Sequence, residues 1–170
     1  MSIADLQSCL AERFPEALSH ASADEKTYRA TVDRRALLDV CCVLQSAFDF
    51  DYLACLAGVD RPECIEVVYH LYGLATKLQV VLRTEAPKDD CRVPSVSDVW
   101  QAAQWHEREA AEMLGVTFDG HPDPRHLLLP DGWVGHPLRK DYEPDPDYTQ
   151  PSQLEPEVWA QFARRVEEEY

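Results

Sequence analysis

Between residues 115 and 155 the chain is interrupted by proline and glycine so often that no long helix or strand fits, and this most narrows what it can become. Eight of its 12 prolines fall between residues 122 and 156, and four of its 6 glycines between 115 and 135. Proline fixes φ, lacks an N–H and pushes the preceding residue towards extended backbone. Structureless loops beyond about 12–15 residues are uncommon inside compact domains and usually bind something or are disordered. Disorder is the poorer reading, because the stretch carries Leu127, Leu128, Leu129, Trp133, Val134, Leu138 and Tyr142. A solvated strap would expose these as an apolar patch. Removing residues 127–129 and 133 from water would contribute on the order of 6–10 kcal/mol before ordering costs. The strap is therefore expected to lie in a groove, and that groove to belong largely to another protein. Its end, Gly135 followed by His136, Pro137, Leu138, Arg139, Lys140, Asp141 and Tyr142, joins a fixed turn to alternating charges, as one specific register on a partner would need.

Charge narrows the partner. With 16 basic and 31 acidic residues the chain has a net charge of −15. Nucleic acid and anionic membrane surfaces, which require clustered Lys and Arg, are unsuited to it. From residue 141 onward nine acids stand against Arg164 and Arg165, a net −7, so the acid excess concentrates in the tail. No apolar run approaches the roughly 18 residues that cross a bilayer. The polar first residues do not read as a signal peptide, so a cytoplasmic chain is expected. Cysteines 9, 41, 42, 55, 64 and 91 lie mostly beside apolar neighbours and never as C-x-x-C. Buried free thiols are the plain reading; a disulfide scaffold or a cysteine-ligated iron–sulfur cluster are the alternatives.

Upstream, periodicity predicts an amphipathic helix over 2–14 capped by Ser2, and strands near 17–21 and 27–32. A helix from 34 to about 48 follows, capped by Asp33, then strands at 52–59, 64–72 and 77–82. The strand at 64–72, CIEVVYHLY, is apolar on both faces at its centre, as an interior strand would be. This order does not alternate strictly. It predicts an α+β domain, a two-layer arrangement with helices on one face of a mixed or mostly antiparallel sheet. Residues 84–94 read as a linker. Two helical pieces follow, 96–104 started by a capping-box-like Ser95 and Asp98, and 105–114 ended by Gly115. The predicted divisions are 1–92 for the α+β domain, 93–119 for a helical segment, and 120–170 for an extended arm with a short helix over 156–169.

The helix at 105–114 carries Glu107, Arg108, Glu109 and Glu112. Arg108 and Glu112 lie one turn apart and Glu107 faces elsewhere. A solvated, salt-bridged surface is the ordinary reading of such charges. Trp105, Met113, Leu114 and the adjoining strap favour a clamp in which arginine and carboxylates fasten loops or a partner. His106-Glu107 begins H-E-x-x-H, but Ala110 stands where the second histidine belongs. His121, His126 and His136, with His106, could ligate zinc. Two of them precede proline, where an imidazole more often bonds backbone in a tight turn.

Three stretches carry a family resemblance: EREAAEMLG from Glu107, GHPDPRHLLLP from Gly120 and DGWVGHPLRKDY from Asp131. Residues 93–105 (VPSVSDVWQAAQW) and the strand pair around Asp60 and Tyr69-His70-Leu71 extend it. Together they resemble the C-subunit family of proton-pumping NADH:quinone oxidoreductase, respiratory complex I, from about Phe50 to Tyr142. The chain departs from the pattern at Glu112 (commonly Asp), Leu114 (commonly aromatic) and Pro124 (commonly Leu or Asn).

The resemblance implies an α+β domain whose C-terminal arm wraps a neighbouring D subunit, peripherally on the cytoplasmic side of the membrane. It implies a structural docking subunit that supports the quinone-reducing D and B subunits. By the same resemblance this chain has no catalytic residues and binds no flavin, iron–sulfur cluster or nicotinamide; FMN and the clusters reside in other subunits. The partner-facing residues it implies are Glu107, Arg108, Glu109, Glu112, His121, Arg125, Leu127, Leu128, Trp133 and 136–142. F420H2 dehydrogenases and membrane-bound hydrogenases carry similar subunits, so the electron donor stays open. The competing reading from another class is a stand-alone metalloenzyme built on the histidines.

Overall fold

A computed structural model of the chain describes residues 2–130 and 132–144. Its elements are α1 (Ile3–Arg13), β1 (Leu18–Ala23), β2 (Thr27–Val32), α2 (Leu37–Phe48), β3 (Tyr52–Asp60), β4 (Cys64–Tyr72), β5 (Gln79–Pro87), β6 (Arg92–Pro94), α3 (Ala103–Leu114) and β7 (Thr117–Asp119). Chain contacts divide into two compact units, Met1–Lys140 and Asp141–Tyr170. The first runs without a break through residues 92 and 119. The predicted helix over 156–169 lies outside the described residues.

Five strands form one mixed sheet in the order β1-β2-β5-β4-β3, with β2 and β5 parallel and every other pair antiparallel. Alternation along each strand sends one set of side chains to the core. Register aligns these sets into rows: Tyr28–Val80–Leu71–Leu53, Ala30–Leu82–Tyr69–Leu56, and Thr84–Val67–Gly58. Except for Gly58 the inward residues are buried, and the helices supply the rest of one continuous core through Leu6, Leu10, Leu37, Leu44 and Leu114. The two-layer α+β fold with helices on one sheet face is thus observed.

Local differences from the sequence reading have physical causes. Asp33 does not cap α2. Its carboxylate accepts the Arg35 amide at 2.8 Å, residues 34–36 form a turn, and the helix starts at Leu37. The linker expected over 84–94 is partly strand, because Thr84 and Ala86 continue the inward set of β5 opposite β4. Three residues more form β6, paired in parallel with β7. Residues 97–102 are turns rather than a helix. The Ser95 hydroxyl bonds Glu107 and Ser97, and Trp100 Nε1 donates to the Phe50 carbonyl at 2.9 Å, which ties this segment to the entrance of β3.

Helix α3 lies across β3, and Gly58 permits the approach. A Cβ added there would sit 2.2 Å from Leu114 Cδ1. Gly58→Val should therefore overpack the site and cost about 1–3 kcal/mol, read as a lowered midpoint in thermal or denaturant unfolding. Leu114→Ala in the same chain should recover part of that loss, since the two substitutions share one contact.

Candidate functional site: a backbone clamp on α3

Among the described residues, 120–144 contain neither helix nor strand, yet their backbone polar groups are held from one side. Arg108 and Glu112, one turn apart on α3, do not pair with each other. Arg108 donates to the carbonyls of Arg125 (2.8 Å) and His126 (2.6 Å). The Glu112 carboxylate accepts the amides of Leu127 (2.9 Å), Leu128 (2.9 Å) and Leu129 (3.2 Å). The positive group takes the oxygens and the negative group the N–H groups of five consecutive residues. Such charge-assisted bonds are individually about twice as strong as neutral ones. Arg108 also lies over the Trp105 ring, 5.6 Å from its centroid, with that ring 61% exposed.

Further along the strap, the end of α3 is grasped again. His136 Nδ1 donates to the Glu112 carbonyl, the Leu138 amide to the Met113 carbonyl, and Arg139 Nε to the Leu114 carbonyl. These are carbonyls of the last helical turn, which have no intrahelical partner. Gly115 ends the helix with φ 73°, and a Cβ on it would meet the His136 ring at 2.5 Å. Glycine is required there for both reasons. The Lys140 amide then donates to Asp60 Oδ2 at 2.8 Å, and Lys88 Nζ stands 2.7 Å from Asp60 Oδ1. The Lys140 hydrogen bond and the neighbouring lysines hold the Asp60 carboxyl below its usual range.

Glu107, with 0% exposure, is the most deeply buried of these charges, and Glu112 is buried too. The Glu107 carboxylate accepts from Ser95 Oγ (2.6 Å) and the Val96 amide (2.7 Å). Burial pushes this carboxyl up, opposed by those two bonds. His121 Nδ1 accepts the Asp123 amide, so its proton sits on Nε2, which donates to the Gln104 carbonyl at 3.0 Å. Arg125 pairs with Asp123 through two 2.7 Å bonds, and that partner holds Asp123 well below the usual carboxylate range.

The structure therefore gathers Glu107, Arg108, Glu112, His121, Arg125, Leu127, Leu128, Trp133 and residues 136–140 around α3. Glu109 is exposed on the far side of that grouping, His126 is exposed and gives the clamp only its carbonyl, and Asp141 and Tyr142 begin the second unit. The expected groove belonging largely to another protein is corrected in one respect. The strap's backbone at residues 125–129, 138 and 140 is bound by this chain's own α3 and Asp60. Its apolar side chains are divided: Leu127, Leu129 and Trp133 are half-buried, while Leu128 (63%), Val134 (72%) and Leu138 (62%) project into solvent. The sequence reading missed Lys88, Ser97 and Gly58, took Ser95 only for a helix start and met Asp60 only within the family resemblance. Asp60 and Lys140 are 80 positions apart, and no local pattern joins them. His121 and His136 each bond backbone, as His-Pro turns suggest, and among the described residues no three His, Cys, Asp or Glu are grouped to hold a metal ion.

Comparison with known proteins turns on the family described as "Respiratory-chain NADH dehydrogenase, 30 Kd subunit", which matches residues 30–148. The chain belongs to that family. Among its relatives is the C subunit of the NADH-quinone oxidoreductase of Chloroherpeton thalassium, 51% identical over 96 residues, a match that covers 55% of this chain and 40% of that protein. The C subunit of the F(420)H(2) dehydrogenase of Methanosarcina mazei is 38% identical over 82% of this chain and 91% of its own length. The solved trypsin-resistant fragment of Nqo5 superposes with a TM-score of 0.60 at 27% identity, covering 69% of this chain and 98% of the fragment. A chain of the archaeal membrane-bound sulfane sulfur reductase shares the fold, with a TM-score of 0.67 at 24% identity over 82% of this chain and 85% of that one. The clamp residues from Glu107 to Lys140 all fall inside the family match.

Glu112→Gln keeps the shape of the clamp but removes its charge. Loss of charge assistance should cost about 1.5–3 kcal/mol and raise tryptic cleavage after Arg125 roughly tenfold, followed by mass spectrometry of native digests. Asp60 sets a pH dependence. A carboxyl depressed on folding stabilises above its unfolded value, about 3.9, and that contribution is lost as pH falls through the lower folded value. Hydrogen exchange at the Lys140 amide should therefore stay slow, after correction for intrinsic rate, at pH 5–7 and lose protection below about pH 4.

Proposed function

We propose that this chain is a non-catalytic docking subunit of the peripheral arm of a proton-translocating NADH:quinone oxidoreductase. In that role it seats the D and B subunits that pass electrons from iron–sulfur clusters to quinone, on the cytoplasmic side of the membrane. The observation that carries the reading is the division of labour in the strap. Its backbone is fixed to α3 while Leu128, Val134 and Leu138 are held outward. A strap already ordered meets its partner with little further loss of backbone entropy, which sharpens affinity for one register. Burial of those three side chains in a partner contributes on the order of 4–8 kcal/mol. Family membership and the names of the relatives support the same assignment.

The kinship with a component of an F(420)H(2) dehydrogenase leaves the electron donor to the rest of the complex. Flavin and clusters belong, on this proposal, to other subunits. Among the described residues no helix is long and apolar enough to cross a membrane; on this proposal the chain meets the membrane through its partner subunits. A histidine metalloenzyme is not favoured, since His121 commits both ring nitrogens to backbone and His136 commits its Nδ1.

Leu128→Asp with Leu138→Asp tests the proposal. Both side chains are exposed, so the fold should keep its circular dichroism and melting point. Recovery of the chain with its partner subunits from solubilised membranes should fall at least tenfold. Undiminished recovery, or a complex assembled normally but catalytically dead, would refute a docking role for the strap.

A further inference from the structure

The helices occupy one face of the five-stranded sheet; among the described residues no helix covers the other. Register puts Cys55–His70–Val81–Arg29 in one row of that open face, Ala57–Val68–Arg83–Thr31 in the next, and Val59–Glu66–Glu85 in a third. At the far end Tyr52, Tyr72 and Gln79 form a row of their own, and with Cys55, His70 and Val81 they line a shallow groove. The valines are half-buried by neighbours alone, and Tyr52 is 49% exposed.

Charge on this face is ordered. Arg29 is taken by Asp24, and Arg61 by Glu66. Arg83, exposed in the centre of the sheet between Val68 and Thr31, has no ion-pair partner among the described residues. In a chain of net charge −15 an unpaired guanidinium on an aliphatic surface is conspicuous. Glu85 stands directly across from Glu66, whose charge Arg61 takes, so it is Glu85 that leaves the corner beyond Arg83 acidic. Polarity therefore runs one way along the face: apolar and aromatic at Tyr52 and Tyr72, cationic at Arg83, acidic beyond.

We infer that this open face is a second docking surface, distinct from the strap, and that it takes a segment of a neighbouring protein in the complex, one with an apolar anchor and one carboxylate. The anchor seats between Tyr52 and Tyr72, and the carboxylate meets Arg83. The Tyr72 and Val68 rows are four residues apart on β4, about 13 Å at the rise of a strand. The occupant's anchor and acid must span that same distance, a spacing about four extended or nine helical residues supply. The inference rests on the docking role proposed above.

The test uses the assembled complex. A photo-crosslinking phenylalanine analogue is placed at Val68 in one chain and at Leu128 in another, and crosslinked peptides are sequenced. Crosslinks from both positions, with that from 68 falling on a segment of a different protein that contains Asp or Glu, are the expected result. Arg83→Glu should cut the crosslink at 68 at least tenfold, and reversing the partner's acid to Arg should restore it. A crosslink from 128 but none from 68, or one from 68 to a second copy of this chain, overturns the inference and leaves the strap's role intact. Crosslinks from neither position overturn both.

Discussion

Everything in the strap depends on two side chains of opposite sign, one turn apart on α3, that ignore each other. On an open helix Arg108 and Glu112 would form an i, i+4 pair contributing a few tenths of a kcal/mol. Here each takes the complementary half of the backbone at residues 125–129, to which proline and glycine deny a ladder. Buried or half-buried backbone groups without partners are costly. The helix therefore supplies in side chains what a sheet would supply in main chain. Irregular structure can then be ordered without becoming regular.

The sheet serves this arrangement by fixing where α3 lies. Gly58 lets the helix close on β3, Glu107 pins its inner side to Ser95 and Val96, and Trp100 bonds the entrance of β3. Placing a carboxylate as deep as Glu107 is unfavourable in itself, and burial pushes its pKa up. Its compensation is directional: two donors 11 and 12 positions upstream converge on one group, so the turns before α3 have a single seating.

Much of this was legible in the sequence. The order of the elements and the broad apolar stripe of α2 point to helices on one face of a sheet, and the run 64–72, apolar on both faces at its centre, marks the interior strand. The EREAAEMLG run and the prolines located the clamp, and Gly115 announced the helix end. What escaped were contacts made across the chain. Asp33 gave a capping signal that an Asx turn consumed, and Ser95 gave another that Glu107 consumed. The strap's seat was misplaced because apolar content says how much surface wants burial, not which backbone groups are already served. Leu128 and Leu129 are neighbours in sequence yet differ in exposure, set by which way the held backbone turns each side chain.

The bond between the Lys140 amide and Asp60 has an implication for the order of events on the nascent chain. Asp60 closes β3 and is positioned only when β3 has paired with β4. The last grip on the strap thus waits for the β3–β4 pair. Leu138, two residues away, is presented outward by an anchor that certifies that pairing. Half-folded chains lack that certificate and offer neighbours a slack, unregistered ribbon.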